Sequence, residues 1–401
     1  MKVRMKIGMK IFIISFHFIL IIIKNESDLE NQLFRFIKYN IKNINIDYND
    51  EQILSIIRKV KSFKEKKYKI ISYNKIKEPK VAFISPVFNQ INYLYFFISS
   101  VQNQKLKEYE LIFVDDFSTD DSYKFLLEQQ KIDGRIKLIS NKKNRGALYS
   151  RYIGQKLANA KFSIFLDCDD IVLEHGIFQS YNHIIKYNLD IIQFHTIRQT
   201  QDSIFLKTNC YKYNRIIYKP ILPYIFYYDY KLRKGNEQNS ALWDKLVRTT
   251  IMNKAFEFIG SSYLKKNIII NNDVIVLFAI FQIANSYQYI NTIGYFYIRN
   301  NEKSTINSWK DPKKREKIIK SFLINVKFLF EKTKDTYLDK LYCIYRIQNY
   351  FKSYKQLFIN LNNSDYYYLK NIIDKMINLK YLPIQDKLSL TKIELFVLNM
   401  K

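Results

Sequence analysis

Four short apolar runs, each stopped by polar or acidic residues, set the strongest limit on how this chain can fold. Residues 81–85 read Val-Ala-Phe-Ile-Ser and end at Pro86, Val87, Phe88 and Asn89. Residues 111–114 end at Asp115, Asp116, Phe117, Ser118 and Thr119, residues 136–139 end before Asn141, and residues 162–166 end on Asp167. Between them lie helix-length patterns at 93–104, 122–130 and 147–160. Strands alternating with helices predict a parallel sheet with helices on both faces. Right-handed crossovers then open all the strand C-termini onto one rim, so Asn89, Asp115, Asp116 and Asp167 converge on one crevice. No Gly-x-Gly-x-x-Gly follows the first run, which argues against a dinucleotide site of the usual kind.

The fourth run delivers three acids, Asp167, Asp169 and Asp170, with Cys168 among them. Paired carboxylates at a strand tip can hold a hard divalent cation against phosphate oxygens. A helix N-cap is the plainer reading, because Asp suits that position and the positive helix end. Upstream, Arg145 and Gly146 open a helix, where free backbone N–H groups favour an anion. Arg151 on that helix is placed to reach a phosphate as a bidentate donor. The alternatives there are an ordinary turn glycine and a solvated arginine.

These pieces together carry a resemblance. Ser-Pro-Val-Phe-Asn at 85–89, Ser-Val-Gln-Asn-Gln at 100–104 and Val-Asp-Asp-Phe-Ser-Thr-Asp-Asp-Ser at 114–122 occur in order. Asn-Arg-Gly-Ala-Leu-Tyr-Ser-Arg at 144–151 and Phe-Leu-Asp-Cys-Asp-Asp at 165–170 follow. Residues 80–170 thus resemble the nucleotide-sugar-binding half of a family 2 glycosyltransferase. The resemblance implies an α/β GT-A (Rossmann-like) fold, a mostly parallel sheet with helices on both faces, and a hexosyltransferase-like activity. It implies that Pro86, Val87, Asn89 and Asp115 or Asp116 contact the base of a nucleotide-diphospho-sugar, a UDP-sugar by preference. Gly146 and Arg151 join that nucleotide-sugar site. Asp167 would face the ribose and the metal, and Asp169 would be the main ligand of Mn²⁺ or Mg²⁺. Where the family usually has Gly, this chain has Phe117.

The acceptor half resembles the same family. Residues 241–248 resemble its Trp-x-Lys-Leu-x-Arg helix, which puts Trp243 and Lys245 on the acceptor side and predicts a helix there. Asn272-Asp273 resembles the Glu-Asp motif, with Asn in place of Glu, and Tyr-Phe-Tyr-Ile-Arg at 295–299 adds Arg299, followed by Ser304 and Thr305. Inverting transfer needs a carboxylate to take the acceptor's proton, and by resemblance that base is Asp273. A helix N-cap is its alternative role. The acceptor is expected to be a glycan, protein or lipid. The other expectation for the whole chain is a catalytically weak accessory subunit that binds a glycan or nucleotide sugar.

At 401 residues the chain exceeds one ordinary domain. Residues 80–306 match the length of a GT-A domain, divided into a nucleotide-sugar half (80–195) and an acceptor half (196–306). Residues 26–79 read as a helical flank, with helices near 29–42 and 50–66, and residues 307–401 as a helical C-terminal region. Pro79 and Pro312 are the expected seams. The net charge of +28 is spread evenly, alongside only 8 Gly, as AT-rich coding produces in some protists. No helix carries a basic stripe with base-reading residues, so nucleic acid is excluded as a partner. A Tyr-dense patch at 224–230 is read as packing, given 33 Tyr and 30 Phe.

Lys2, Arg4, Lys6 and Lys10 precede an apolar stretch at 11–23, broken only by Ser15 and His17. That is short for a membrane span of about 20 residues and suits a signal-peptide core. With no small-x-small site after it, an uncleaved signal anchor stays open. Either predicts entry to the secretory pathway, as a type II membrane protein of the endoplasmic reticulum or Golgi or in the secretory lumen. Asn25 and Asn362 begin Asn-x-Ser sequons. Cys168, Cys210 and Cys343 are too few for a disulfide framework. His175, His183 and His195 lack zinc spacing; a surface or core histidine is the plainer reading of each, with His175 the alternative for approaching the metal.

Overall fold

The computed structural model describes residues 72–199, 204–207, 216–219, 241–298 and 312–333, with scattered positions between 367 and 378. The N-terminal segment, the 26–71 flank, the Tyr-dense patch, Arg299, Ser304, Thr305, Cys210 and Cys343 lie outside the described residues.

The first half alternates as the sequence predicts: β1 (Val81–Val87), α1 (Ile91–Gln102), β2 (Tyr109–Asp115), α2 (Ser122–Ile132), β3 (Ile136–Ser140), α3 (Ala147–Leu157) and β4 (Phe162–Phe165). These strands lie parallel in the order β3-β2-β1-β4, with Val81 opposite both Tyr109 and Phe162. The chain continues through β5 (Ile171–Val172), α4 (Gly176–Lys186), β6 (Ile191–Gln199), β7 (Ile204–Lys207) and β8 (Ile217–Tyr218). It closes with β9 (Lys245–Arg248), α5 (Thr249–Ile259), α6 (Ser261–Leu264), α7 (Asn272–Ile283), β10 (Ser286–Ile298) and α8 (Pro312–Lys332). The second half extends the same sheet as β9-β6-β10-β5, giving ten strands with β7 and β8 at its margins. β10 runs parallel to β6, while β9 and β5 join antiparallel.

Alternation along each strand builds a core on each face. Val81, Phe83 and Val87 of β1 enter one core with α1, while Ala82 and Ile84 enter the other with α3. β2 divides the same way, with Leu111 and Phe113 against Ile112 and Val114. Both faces are covered, which is why these strands read as nearly unbroken apolar runs.

The helix expected over 241–248 is not there. Its second half is β9, inserted between β4 and β6 with Phe162 opposite Arg248 and Ile192 opposite Leu246. Leu246 and Val247 bury into opposite cores, which only a period-2 segment allows. Helix begins one residue later, where the Thr249 hydroxyl donates to Ala160 O at 2.6 Å.

α7 is apolar all round, with Val274 to Phe281 buried, as a helix enclosed by others must be. It packs against α5 and α8. From α8, Ser321 Oγ accepts the Ile269 amide at 3.1 Å and Asn325 Nδ2 donates to Ile270 O at 3.3 Å. α8 therefore fixes the strand of chain that leads into Asp273. On the opposite face, a Cβ on Gly176 would stand 2.1 Å from Gly294 Cα, so Gly176 lets α4 meet β10, while a Cβ on Gly294 would meet the Phe194 ring at 2.6 Å. Among the described residues no helix is long and apolar enough to cross a membrane.

Candidate active site

Two loops at the tips of β1 and β2 lock onto each other. The ladder runs one residue past Asp115, with the Asp116 amide donating to Val87 O at 2.7 Å. Asn89 adopts φ +55°, its Oδ1 accepts the Thr119 amide at 2.8 Å, and its own amide donates to Ser118 Oγ at 3.0 Å. Asp115 is 2% exposed. Its Oδ2 accepts the Ser118 amide at 3.2 Å and the Ser140 hydroxyl at 3.0 Å, while its buried Oδ1 has no partner among the described residues. Asp116 differs: Oδ1 accepts Asn141 Nδ2 and the Arg145 amide, both at 2.8 Å, and Oδ2 accepts the Gly146 amide at 2.7 Å. The Arg145 and Gly146 amides just ahead of α3 are therefore bound to Asp116. Gly146 sits at φ +84°, and a Cβ there would meet Asn267 Oδ1 at 2.6 Å. Pro86 O receives the Cys168 thiol at 3.5 Å, and burial together with Asp169 and Asp167 pushes that thiol's pKa well up. A neutral buried thiol is packing, not a nucleophile.

Arg151 joins the two halves. Its Nη2 donates to Asp167 Oδ1 at 2.9 Å and its Nη1 to Asp273 Oδ1 at 2.7 Å, with Asn272 Oδ1 also bonded to Nη1. Arg151 is 4% exposed, and its Nε has no partner among the described residues. Burial opposes its charge, but Asp273 and Asp167 outweigh that and hold its pKa above the ordinary value. Asp273 stands in the first turn of α7 behind Asn271, which takes φ +52°. Its carboxylate turns to Arg151, not to a helix amide, so the cap expected from sequence is not its role. The side chain keeps 26% of its surface exposed. Burial nevertheless raises its pKa from 3.8 to about 6, against the pull of Arg151 and Lys245.

At the tip of β4 the acids divide their tasks. Asp170 is 2% exposed and accepts the Tyr295 hydroxyl and the Ile298 amide, both at 2.8 Å. Burial, then the charges of Asp169 and Asp167, pushes its pKa well above the carboxylate range. The Tyr295 hydroxyl also receives the Asp167 amide at 3.2 Å, and its ring stacks on Trp243 at 4.8 Å. Asp170 therefore stitches β10 to the acidic tip, while Asp167 keeps its side chain 35% exposed.

Among the described residues no three His, Cys, Asp or Glu side chains gather as a metal cage. A hard cation that keeps waters and takes diphosphate oxygens needs only one or two carboxylates, and Asp167 with Asp169 supply that donor set. Burial first, and the charges of these acids after it, raise the pKa of Cys168, Asp170 and Tyr295. His175 lies at the start of α4 beside Glu174 at 3.8 Å. Lys245 is 1% exposed, with Nζ on Asp244 Oδ1 at 2.6 Å and Ala241 O at 2.8 Å. The sequence reading did not assign Tyr295, Ser321 or Asn325. Tyr295 lay inside the Tyr-Phe-Tyr-Ile-Arg motif, but no local pattern marks the other two.

Residues 82–244 match the sequence model of Glycosyl transferase family 2. Over 116 residues the chain is 39% identical to the poly(ribitol-phosphate) beta-N-acetylglucosaminyltransferase TarP of Staphylococcus aureus, covering 28% of this chain and 35% of that protein. Over 93 residues it is 36% identical to the putative teichuronic acid biosynthesis glycosyltransferase TuaG of Bacillus subtilis, covering 23% and 37%. The chain thus spans little more than a third of the length of either relative. In fold it is similar to S. aureus TarS 1–349 in complex with UDP-GlcNAc, with a TM-score of 0.56 at 13% identity over 80% of this chain and 89% of that one. The complex of the same protein with UDP gives 0.55 at 13% identity, over 80% and 88%.

Proposed function

We propose that this chain, whose residues 82–244 match the model of Glycosyl transferase family 2, transfers a sugar from a UDP-sugar to an acceptor hydroxyl with inversion. The observation that carries the reading is Arg151, whose single guanidinium touches both Asp167 and Asp273. A donor-side acid and an acceptor-side acid that close define the two ends of one transfer reaction.

Asp115, rather than Asp116, is assigned as the base-contacting acid, because its buried Oδ1 has no hydrogen-bond partner among the described residues. Uracil offers such a donor on its edge. UDP and UDP-GlcNAc complexes of a protein with this fold support a UDP-sugar. Asp167 faces the ribose, and Arg151, with both Nη atoms on Asp167, Asp273 and Asn272, positions these acids and does not grip the diphosphate. Asp167 and Asp169 would hold Mn²⁺ or Mg²⁺, which when bound offsets diphosphate charge as it leaves. Asp273 takes the acceptor hydroxyl's proton, and a pKa of about 6 suits it to that work near neutrality. Residues 1–24 remain proposed as the segment that directs the chain to secretory membranes. Protease protection of a reporter carrying residues 1–40 in microsomes checks it, and a cytosolic reporter sinks it.

The central test is Asp273→Asn. Turnover should fall by ~10²–10⁴-fold, the usual worth of a general base, with UDP affinity unchanged. Near-normal transfer would move the base elsewhere. Activity should vanish in EDTA and return with Mn²⁺ or Mg²⁺, and Asp169→Ala should abolish that return. If the wild type neither hydrolyses nor transfers any of a panel of nucleotide sugars, the accessory-subunit reading replaces this one.

A further inference from the structure

We infer that Phe117 forms a wall of the nucleoside pocket, its ring stacking on the donor's base. The inference rests on the proposal that a UDP-sugar binds at the tips of β1 and β2. Phe117 stands at φ +67°, in the left-handed region that glycine enters freely and a bulky aromatic residue enters only at a cost. The loop cannot relax it away. On one side the Ser118 amide is bound to Asp115 Oδ2, and on the other the Thr119 amide is bound to Asn89 Oδ1. The Ile91 amide also donates to Asp120 Oδ2 at 3.3 Å, tying the far end of the loop to α1. This backbone is shaped for glycine and carries phenylalanine.

Nothing in the fold offsets that cost. The ring is 52% exposed and belongs to neither core cluster of the described residues. A strained backbone persists where the surroundings over-determine it, and such positions gather at ligand sites. Two residues back, the buried Asp115 Oδ1 has no donor among the described residues. Phe88, one residue past the Val87 that pairs with Asp115, is a second exposed ring at 45%. A nucleobase answers both features: its N–H edge suits the lone carboxylate oxygen, and its flat face suits an aromatic ring. A phosphate answers neither of them. The position is thus a specificity-determining one, where this chain adds a surface that glycine cannot supply.

The test compares wild type, Phe117→Gly and Phe117→Tyr by calorimetric titration with UDP and with inorganic pyrophosphate, alongside thermal melting. Phe117→Gly should bind UDP roughly 5- to 100-fold more weakly, the range that loss of one base–aromatic stack produces. It should bind pyrophosphate as the wild type does and melt at or above the wild-type temperature. Phe117→Tyr keeps the ring and should keep the affinity. Unchanged UDP binding in Phe117→Gly, with a wild type that binds UDP, overturns the inference alone. A wild type that binds no UDP overturns the donor assignment as well.

Discussion

Far from the cleft, the guanidinium of Arg135 lies between two rings, Tyr73 at 3.4 Å and Tyr109 at 4.2 Å. Its Nε and Nη2 bind the two oxygens of Asp133 at 2.9 and 2.8 Å, and Gln102 adds a bond at 2.8 Å. A lysine cannot fork or stack in this way. Arg135→Lys should therefore cost about 1–3 kcal/mol, measured by urea unfolding. At Asp273 the expectation concerns pH. If it is the base, kcat/KM should fall tenfold per unit as pH drops below about 6, and Asp273→Asn should erase that limb. The sign for stability is opposite to that of an acid whose pKa is lowered on folding, because burial outweighs the pull of Arg151 here. The folded pKa lies above 3.8, so the fold prefers the protonated form, and this group's contribution shrinks as pH rises from 3.8 through about 6. Asp273 was readable from its motif, but its hold on Arg151 was not, since 122 positions separate them.

Among the elements, the parallel strands β1, β2 and β4 were legible because their residues are buried on both faces and polar residues follow them. β9 was not. Its four residues, with Trp243 three positions ahead of Leu246, satisfy a helical spacing as well as a strand, and short apolar segments cannot be told apart by period alone. Only the gap between β4 and β6 decides it. α8 was visible as an amphipathic helix, yet its purpose depends on polar residues within its buried face. Asn325 and Ser321 are 0% exposed and grip the backbone just ahead of Asp273. Asn325→Leu removes that grip and also a buried acceptor that has no partner among the described residues. Turnover should drop roughly ten- to a hundredfold through misplacement of the base, while UDP affinity and melting temperature stay close to wild type. A loss of both functions together would make α8 a general support.

At the scale of the molecule, the residues proposed to meet donor and acceptor are carried by one sheet that runs from β3 through β1 to β10 without a seam. Two lobes hinged on a linker can melt one at a time, but strands that share a ladder cannot. Residues 81–298 should therefore unfold in a single cooperative transition, with fluorescence and far-ultraviolet dichroism tracing the same curve in denaturant. Two separated midpoints within this stretch would disprove it. Hydrogen exchange should carry the same signature. A nucleotide that touches only β1 and β2 should slow global exchange in β10 as much as in β2, because binding to the native state raises the free energy of every opening that unravels the whole.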